Sequence, residues 1–286
     1  MRVCTAIALV VPALPIWAGS AQLPPGPAVP PSLFVTVAEP PAGAETLRVQ
    51  WIKVAALGQG TMLAAVARPT GAGPFPAVVL LHGSHGFARE YVLLAQALSR
   101  EGILAVAACW FAGGGNAAQS RFITPIAWHE SPPRPDSSSA AAWQTVDTLV
   151  EAARALPGTR PDCIGLFGHS RGGGAAARYV MTSKKVRAVV LNSTGYPSEL
   201  IDRASQMNIP MLIFHGTLDS PADGGGENSN IQMARNYEAA LRRLKKPVET
   251  KYYEGSGHSG IFASPTQFED EVKRMTTFFL RHLVQN

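Results

Sequence analysis

Six short, mainly apolar runs recur along the chain: PAVVLLHG (76–83), GILAVAACW (102–110), CIGLFGHS (163–170), VRAVVLNS (186–193), PMLIFHG (210–216) and VETKYYEG (248–255). Runs of this length suit strands buried on both faces, which is the condition inside a parallel sheet covered on both sides. The segments between them supply the cover. Residues 143–156 set Val146, Leu149, Val150, Ala153 and Leu156 on one helical face, and residues 229–246 do the same with Met233, Tyr237, Ala240, Leu241 and Leu244. A last helix opens with Ser264 as N-cap, Pro265 at its first position and Gln267 three residues after the cap, and it buries Phe268, Val272, Met275 and Phe279. Ahead of the six runs, LRVQWIKVA alternates with Leu47, Val49 and Trp51 on one face, and TMLAAVARP follows after a glycine turn, an antiparallel hairpin. The expected fold is therefore α/β, a mostly parallel eight-stranded sheet with helices on both faces.

With 286 residues, 46% of them hydrophobic and 16% charged, the chain can bury a large core in one domain. Its formal charge of +5 is scattered in short clusters such as Arg242, Arg243, Lys245 and Lys246, without interleaved aromatics. That pattern is a solvated helix face and gives no nucleic-acid or anionic-lipid patch. Residues 1–21 hold Arg2, then an apolar run, then Ala18, Gly19, Ser20 and Ala21, the pattern of a secretory signal cleaved after Ala21. The run is too short and too proline-broken to span a membrane. The expected location is exported, periplasmic or secreted. Residues 22–44 are rich in proline and alanine with no strand or helix period and are read as a strap, leaving 45–286 as the folded domain. Within it, residues 111–141 form a glycine- and proline-rich insertion, a possible lid or pocket wall. Cys109 closes one parallel strand and Cys163 opens another, so they fall at opposite ends of the sheet and are expected to be buried and unpaired.

The chemistry concentrates at Ser170. Gly168 and Gly172 flank it in a G-x-S-x-G pattern between an apolar strand and an alanine-rich helix, the setting of a sharp turn that exposes a serine hydroxyl. Such a turn presses the positions two before and two after the serine together, so only very small residues fit there. Gly173 and Gly174 are expected to let the new helix pack closely on the sheet. A serine hydroxyl is a weak nucleophile at neutral pH and needs a base and oxyanion donors beside it.

On these residues the chain resembles the α/β-hydrolase superfamily, in particular its dienelactone hydrolase branch and the related secreted serine esterases. The resemblance covers nearly everything after residue 45. It implies a nucleophile, an acid and a histidine in that chain order, each at the carboxyl end of a strand. Asp219, in HGTLD, takes the acid role, with Asp223 as its competitor, and His258 in EGSGHSG takes the base role. The oxyanion donors implied are the main-chain N–H groups of Arg171 and of Ser84, with His85 as fallback for the latter. Dienelactone hydrolases proper carry a cysteine nucleophile, so lactone cleavage does not carry over to a serine. The expected substrate is a small-molecule carboxylic ester, with an acyltransferase or an amidase or peptidase on the same residues as the alternative and a non-catalytic binding protein as the least favoured reading. His169 reads as a packed residue of the turn and the Arg171 side chain as a surface pair. Trp110, Phe111, Trp128, Tyr196 and Ile261 are expected to line an apolar substrate pocket. Several histidines gather at this edge, but no metal-ligand spacing joins them, and neither metal nor other cofactor is expected.

Overall fold

A computed structural model describes residues 33–56, 60–112 and 122–284. Residues 1–21, expected to be a secretory signal, residues 22–32 of the strap and residues 113–121 of the insertion lie outside the described residues.

The strands are β1 (Leu33–Val37), β2 (Gln50–Ala56), β3 (Thr61–Ala67), β4 (Phe75–Leu81), β5 (Leu104–Ala108), β6 (Thr159–His169), β7 (Ala188–Asn192), β8 (Met211–Gly216) and β9 (Val248–Tyr253). They form one sheet in the order β1-β2-β3-β5-β4-β6-β7-β8-β9. β1 to β3 pair antiparallel, β3 pairs antiparallel with β5, and every pairing from β5 to β9 is parallel. The sheet thus has nine strands among the described residues where eight were expected. The extra one, β1, lies in the stretch read as lacking a strand period. Leu33 and Val35 pack against the core on one face while Phe34 on the other is 58% exposed, so an exposed aromatic breaks the apolar–polar alternation that would mark LFVTV.

The helices are α1 (Arg89–Arg100), α2 (Ala140–Ala155), α3 (Arg171–Thr182), α4 (Ser198–Asp202), α5 (Ile231–Arg243), α6 (Gly260–Ala263) and α7 (Pro265–Val284). Along β4, Ala77, Val79 and Leu81 face the core shared with α2, α3 and α5, whereas Val78 and Leu80 face the one shared with α1 and α7. That two-sided burial is why the parallel strands read as continuous apolar runs. α2 starts earlier than expected because Ser139 Oγ accepts from Ala142 N at 3.2 Å and caps it there. α5 ends before Leu244, which is 41% exposed rather than packed. Ser264 Oγ accepts from Gln267 N at 3.3 Å, but the Gln267 side chain leaves the cap and reaches Glu271 and Ser256 instead. Cys109 and Cys163 are free and buried; Ala77 pairs with both Leu104 and Ile164, which sets the two thiols at opposite ends of the sheet. No helix among the described residues is long and apolar enough to cross a membrane.

Candidate active site

Ser170 joins β6 to α3 with φ 53° and ψ −117°, a left-handed backbone that a residue with a Cβ adopts only under strain. Two main-chain bonds hold it there: Ser170 N donates to Asn192 O at the end of β7 (2.9 Å), and Gly174 N donates back to Ser170 O (3.1 Å). The flanking glycines are forced by contact. A Cβ on Gly168 would overlap the Gly172 carbonyl, and one on Gly172 would overlap the Leu81 carbonyl. Gly173 is equally confined, by Thr194 Oγ1. Gly174 is not: its nearest neighbours would be the flexible ends of Arg178 and Ser137 at 3.3 Å, so the close packing expected of it belongs to Gly173 alone.

The parallel strands deliver their carboxyl ends to this turn. His258 Nε2 lies 2.9 Å from Ser170 Oγ, and His258 Nδ1 lies 2.9 Å from each carboxylate oxygen of Asp219. Asp219 and His258 are 3% and 5% exposed. Asp223, the competing acid, accepts instead from the main-chain N–H of His258. A second histidine, His215, reaches Asp219 Oδ2 at 3.3 Å while its Nε2 donates to Ser229 O at 2.5 Å. Burial lowers the His215 pKa, which keeps that ring neutral.

Ser84 follows β4, and Arg171 N is the first N–H of α3. Among the described residues neither main-chain N–H has an acceptor. The Arg171 side chain is no free surface pair: Nε donates to Ser84 Oγ (3.1 Å) and Nη1 to the Pro135 carbonyl (2.9 Å). It ties the turn, the loop after β4 and the insertion together.

The cleft over Ser170 is lined by Ser84, His85, Phe122, Arg134, His258 and the segments Pro221–Gly224 and Gly257–Gly260, with Ala263. None of the five residues expected on its wall is among them. Trp110 is wholly buried with Nε1 donating to His82 O (2.9 Å), and Phe111 packs edge-on against the His82 ring at 4.4 Å. Tyr196 stacks on Tyr237 at 4.9 Å in the core. Ile261 is buried on the α1 and α7 side, and Trp128 donates to Thr61 O (2.8 Å) beneath Lys53. After β5 and β7 the chain folds Trp110, Phe111 and Tyr196 back under the sheet edge, and mostly polar or small residues take the rim. Phe122 and Arg134 show that the insertion does reach the cleft.

Under the cleft, His169 is buried and bonded at both nitrogens, to Tyr91 Oη (3.0 Å) and to the His258 carbonyl (3.1 Å). Tyr91 was not legible as a site residue, since it reads as one more apolar position on α1. Glu271 is also buried, bonded by Asn192 Nδ2 (2.6 Å) and Gln267 Nε2 (2.7 Å), and burial pushes its pKa up to about 8. Its place on the apolar face of α7, three residues after Phe268 and four before Met275, was the signal available. No cluster of metal-ligating side chains occurs among the described residues.

Residues 62–283 match the profile of the dienelactone hydrolase family. Comparison with curated proteins finds no match. Among solved structures, the fold resembles a Klebsiella pneumoniae protein described as a dienelactone hydrolase (TM-score 0.63, 20% identity, 87% of this chain and 99% of that one). It also resembles the esterase Pf2001 of Pyrococcus furiosus (0.62, 12%, 83% and 94%). A third is the acylaminoacyl peptidase of Pyrococcus horikoshii (0.62, 13%, 88% and 48%). At such identities the likeness is one of fold.

Proposed function

We propose, from the premise that this chain belongs to the dienelactone hydrolase family and is a hydrolase, that it cleaves small carboxylic esters with Ser170 as nucleophile. One observation carries the reading: a serine on a strained strand-to-helix turn is bonded to an imidazole whose other nitrogen is held by a buried carboxylate. His258 Nε2 takes the Ser170 proton as Oγ attacks the ester carbonyl. Asp219 keeps the Nδ1–H tautomer in place and stabilises the imidazolium that forms. The Ser84 and Arg171 N–H groups receive the oxyanion, and His258 then returns the proton to the departing alcohol. Water, deprotonated by the same histidine, releases the acyl group from Ser170.

The walls favour a different substrate from the one the aromatic residues suggested. Ser84, His85, Arg134, Asp223 and Ser259 line the cleft, which supports a compact polar ester over a long acyl chain. Export is part of the same proposal, supported by the signal-like composition of residues 1–21.

Labelling with a serine-directed fluorophosphonate, on wild type and on Ser170→Ala, tests the assignment. The expected result is labelling and ester turnover by the wild type alone; equal labelling of the variant refutes it.

A further inference from the structure

The protons on the rings beneath the cleft can be assigned one by one. His169 Nε2 lies 3.1 Å from the His258 carbonyl, which can only accept, so Nε2 carries hydrogen. Burial, with His258 and His85 nearby, holds His169 well below its ordinary pKa, so the ring is neutral and Nδ1 is bare. Tyr91 Oη, 3.0 Å away, must donate its single proton to that nitrogen. The same oxygen accepts from Gly83 N (3.1 Å) and lies 2.8 Å from His85 Nε2. With its proton committed, Tyr91 can only accept from His85, so His85 Nε2 is protonated. Burial and His258 lower the His85 pKa to about 4, leaving the ring neutral at working pH and its Nδ1 unprotonated.

That nitrogen has no hydrogen-bond partner among the described residues, is not sealed from solvent, and belongs to a side chain lining the cleft. It is also close to the chemistry. A Cβ on Gly83 would sit 3.1 Å from both His85 Cε1 and Ser170 Cβ, so the imidazole edge and the nucleophile flank the same small space.

We propose that His85 is a substrate-binding residue whose Nδ1 accepts a hydrogen bond from a hydroxyl on the ester, so that the site takes hydroxylated esters in preference to their alkyl isosteres. The inference rests on the ester-hydrolase reading above. The locked tautomer is what gives it direction: a bare Nδ1 can only accept, so the group it binds must carry a hydrogen, as a hydroxyl does and an alkyl group does not.

Two isosteric pairs test it: p-nitrophenyl 3-hydroxybutyrate against 3-methylbutyrate for the acyl side, and 2-hydroxyethyl against propyl butyrate for the alcohol side. The wild type should favour the hydroxyl member of at least one pair by about tenfold in kcat/KM, the order expected of one hydrogen bond. His85→Leu should bring that ratio close to one, and His85→Asn, whose amide oxygen can stand in for Nδ1, should keep most of it. His85→Ala, which removes the ring without adding a branched side chain, should do the same as His85→Leu, which keeps the test open if the leucine variant does not fold. Equal rates within both pairs for the wild type, or a ratio that survives His85→Leu or His85→Ala, overturns the role of His85 alone. Failure of the wild type to turn over any of the four overturns the esterase reading with it.

Discussion

Asp219 and Asp223, on one loop after β8, grip the same histidine by different groups: the first accepts from the His258 ring, the second from its main-chain N–H. Only the ring contact sets the tautomer. In Asp219→Asn the amide can offer a hydrogen to Nδ1, which puts the ring proton on Nε2 and removes the base that faces Ser170, so kcat should fall by about 10³ to 10⁴. In Asp223→Asn the side-chain carbonyl still accepts from the His258 N–H, and the loss should stay within about tenfold. Steady-state kinetics on one ester decides it; the reverse ranking would move the acid role to Asp223.

Neighbouring glycines of α3 should respond in opposite directions. Gly173→Ala drives a Cβ into Thr194 Oγ1 at the heart of the turn, and should lower both Tm and activity. Gly174→Ala meets only side-chain ends that can move aside, and it replaces glycine in a helix by the best helix former. It should be neutral or stabilise by up to about 1 kcal/mol. Thermal melts of the two variants check this, and a similar loss in both would contradict the packing described.

What could be read from residues alone divides along a physical line. The parallel strands were legible because burial on two faces writes a continuous apolar run, and the turn at Ser170 because it demands small neighbours; Asp219 and His258 came only through the family resemblance, and the structure sets their side chains in line with Ser170. β1 was hidden since Phe34 puts an apolar side chain on the exposed face of an edge strand. The pocket wall was not legible at all. Trp110, Phe111 and Tyr196 do follow strands, yet whether a side chain at a strand end points to the rim or under it depends on where the loop turns back, which no spacing in the sequence records. Tyr91 and Glu271 acquire their contacts only through partners from distant segments, His169 and Asn192.

Arg171 should matter through its side chain as a brace. Its Nε donates to Ser84 Oγ, joining the two residues proposed to offer their main-chain N–H groups to the oxyanion. Arg171→Ala and Ser84→Ala each leave both main-chain donors present but unbraced, so each should reduce kcat by about tenfold with KM little changed, far less than Ser170→Ala. Because they remove one shared contact, the double variant should lose little more than either single one. Additive losses in the cycle would mean that the contact does not position the loop.

Glu271 gives the protein a pH-dependent stability of predictable sign. Its carboxyl is fully buried with no cation against it. The polar groups facing it are Gln267 on its own helix and Asn192 on β7, with Asp270 and Tyr253 the nearby titratable ones. Burial moves its pKa from 4.5 to about 8. In the unfolded chain the group loses its proton near the ordinary value, so between these two pKa values the native state holds more protons than the unfolded state. Raising the pH through that window therefore favours unfolding; the contribution is whole below the lower value and lost above the higher one. Glu271→Gln is neutral throughout, and its amide can serve both neighbours if the Asn192 amide turns so that Oδ1, now without a partner, accepts from it. The difference in Tm between variant and wild type should thus shift in favour of the variant as pH rises from about 5 to about 9. Because Asn192 O anchors the Ser170 N–H and Gln267 Oε1 accepts from Ser256 Oγ in the loop carrying His258, the same titration should loosen both ends of the Ser170–His258 contact at alkaline pH. A stability difference that does not change with pH would show that Glu271 ionises in the folded protein at an ordinary value.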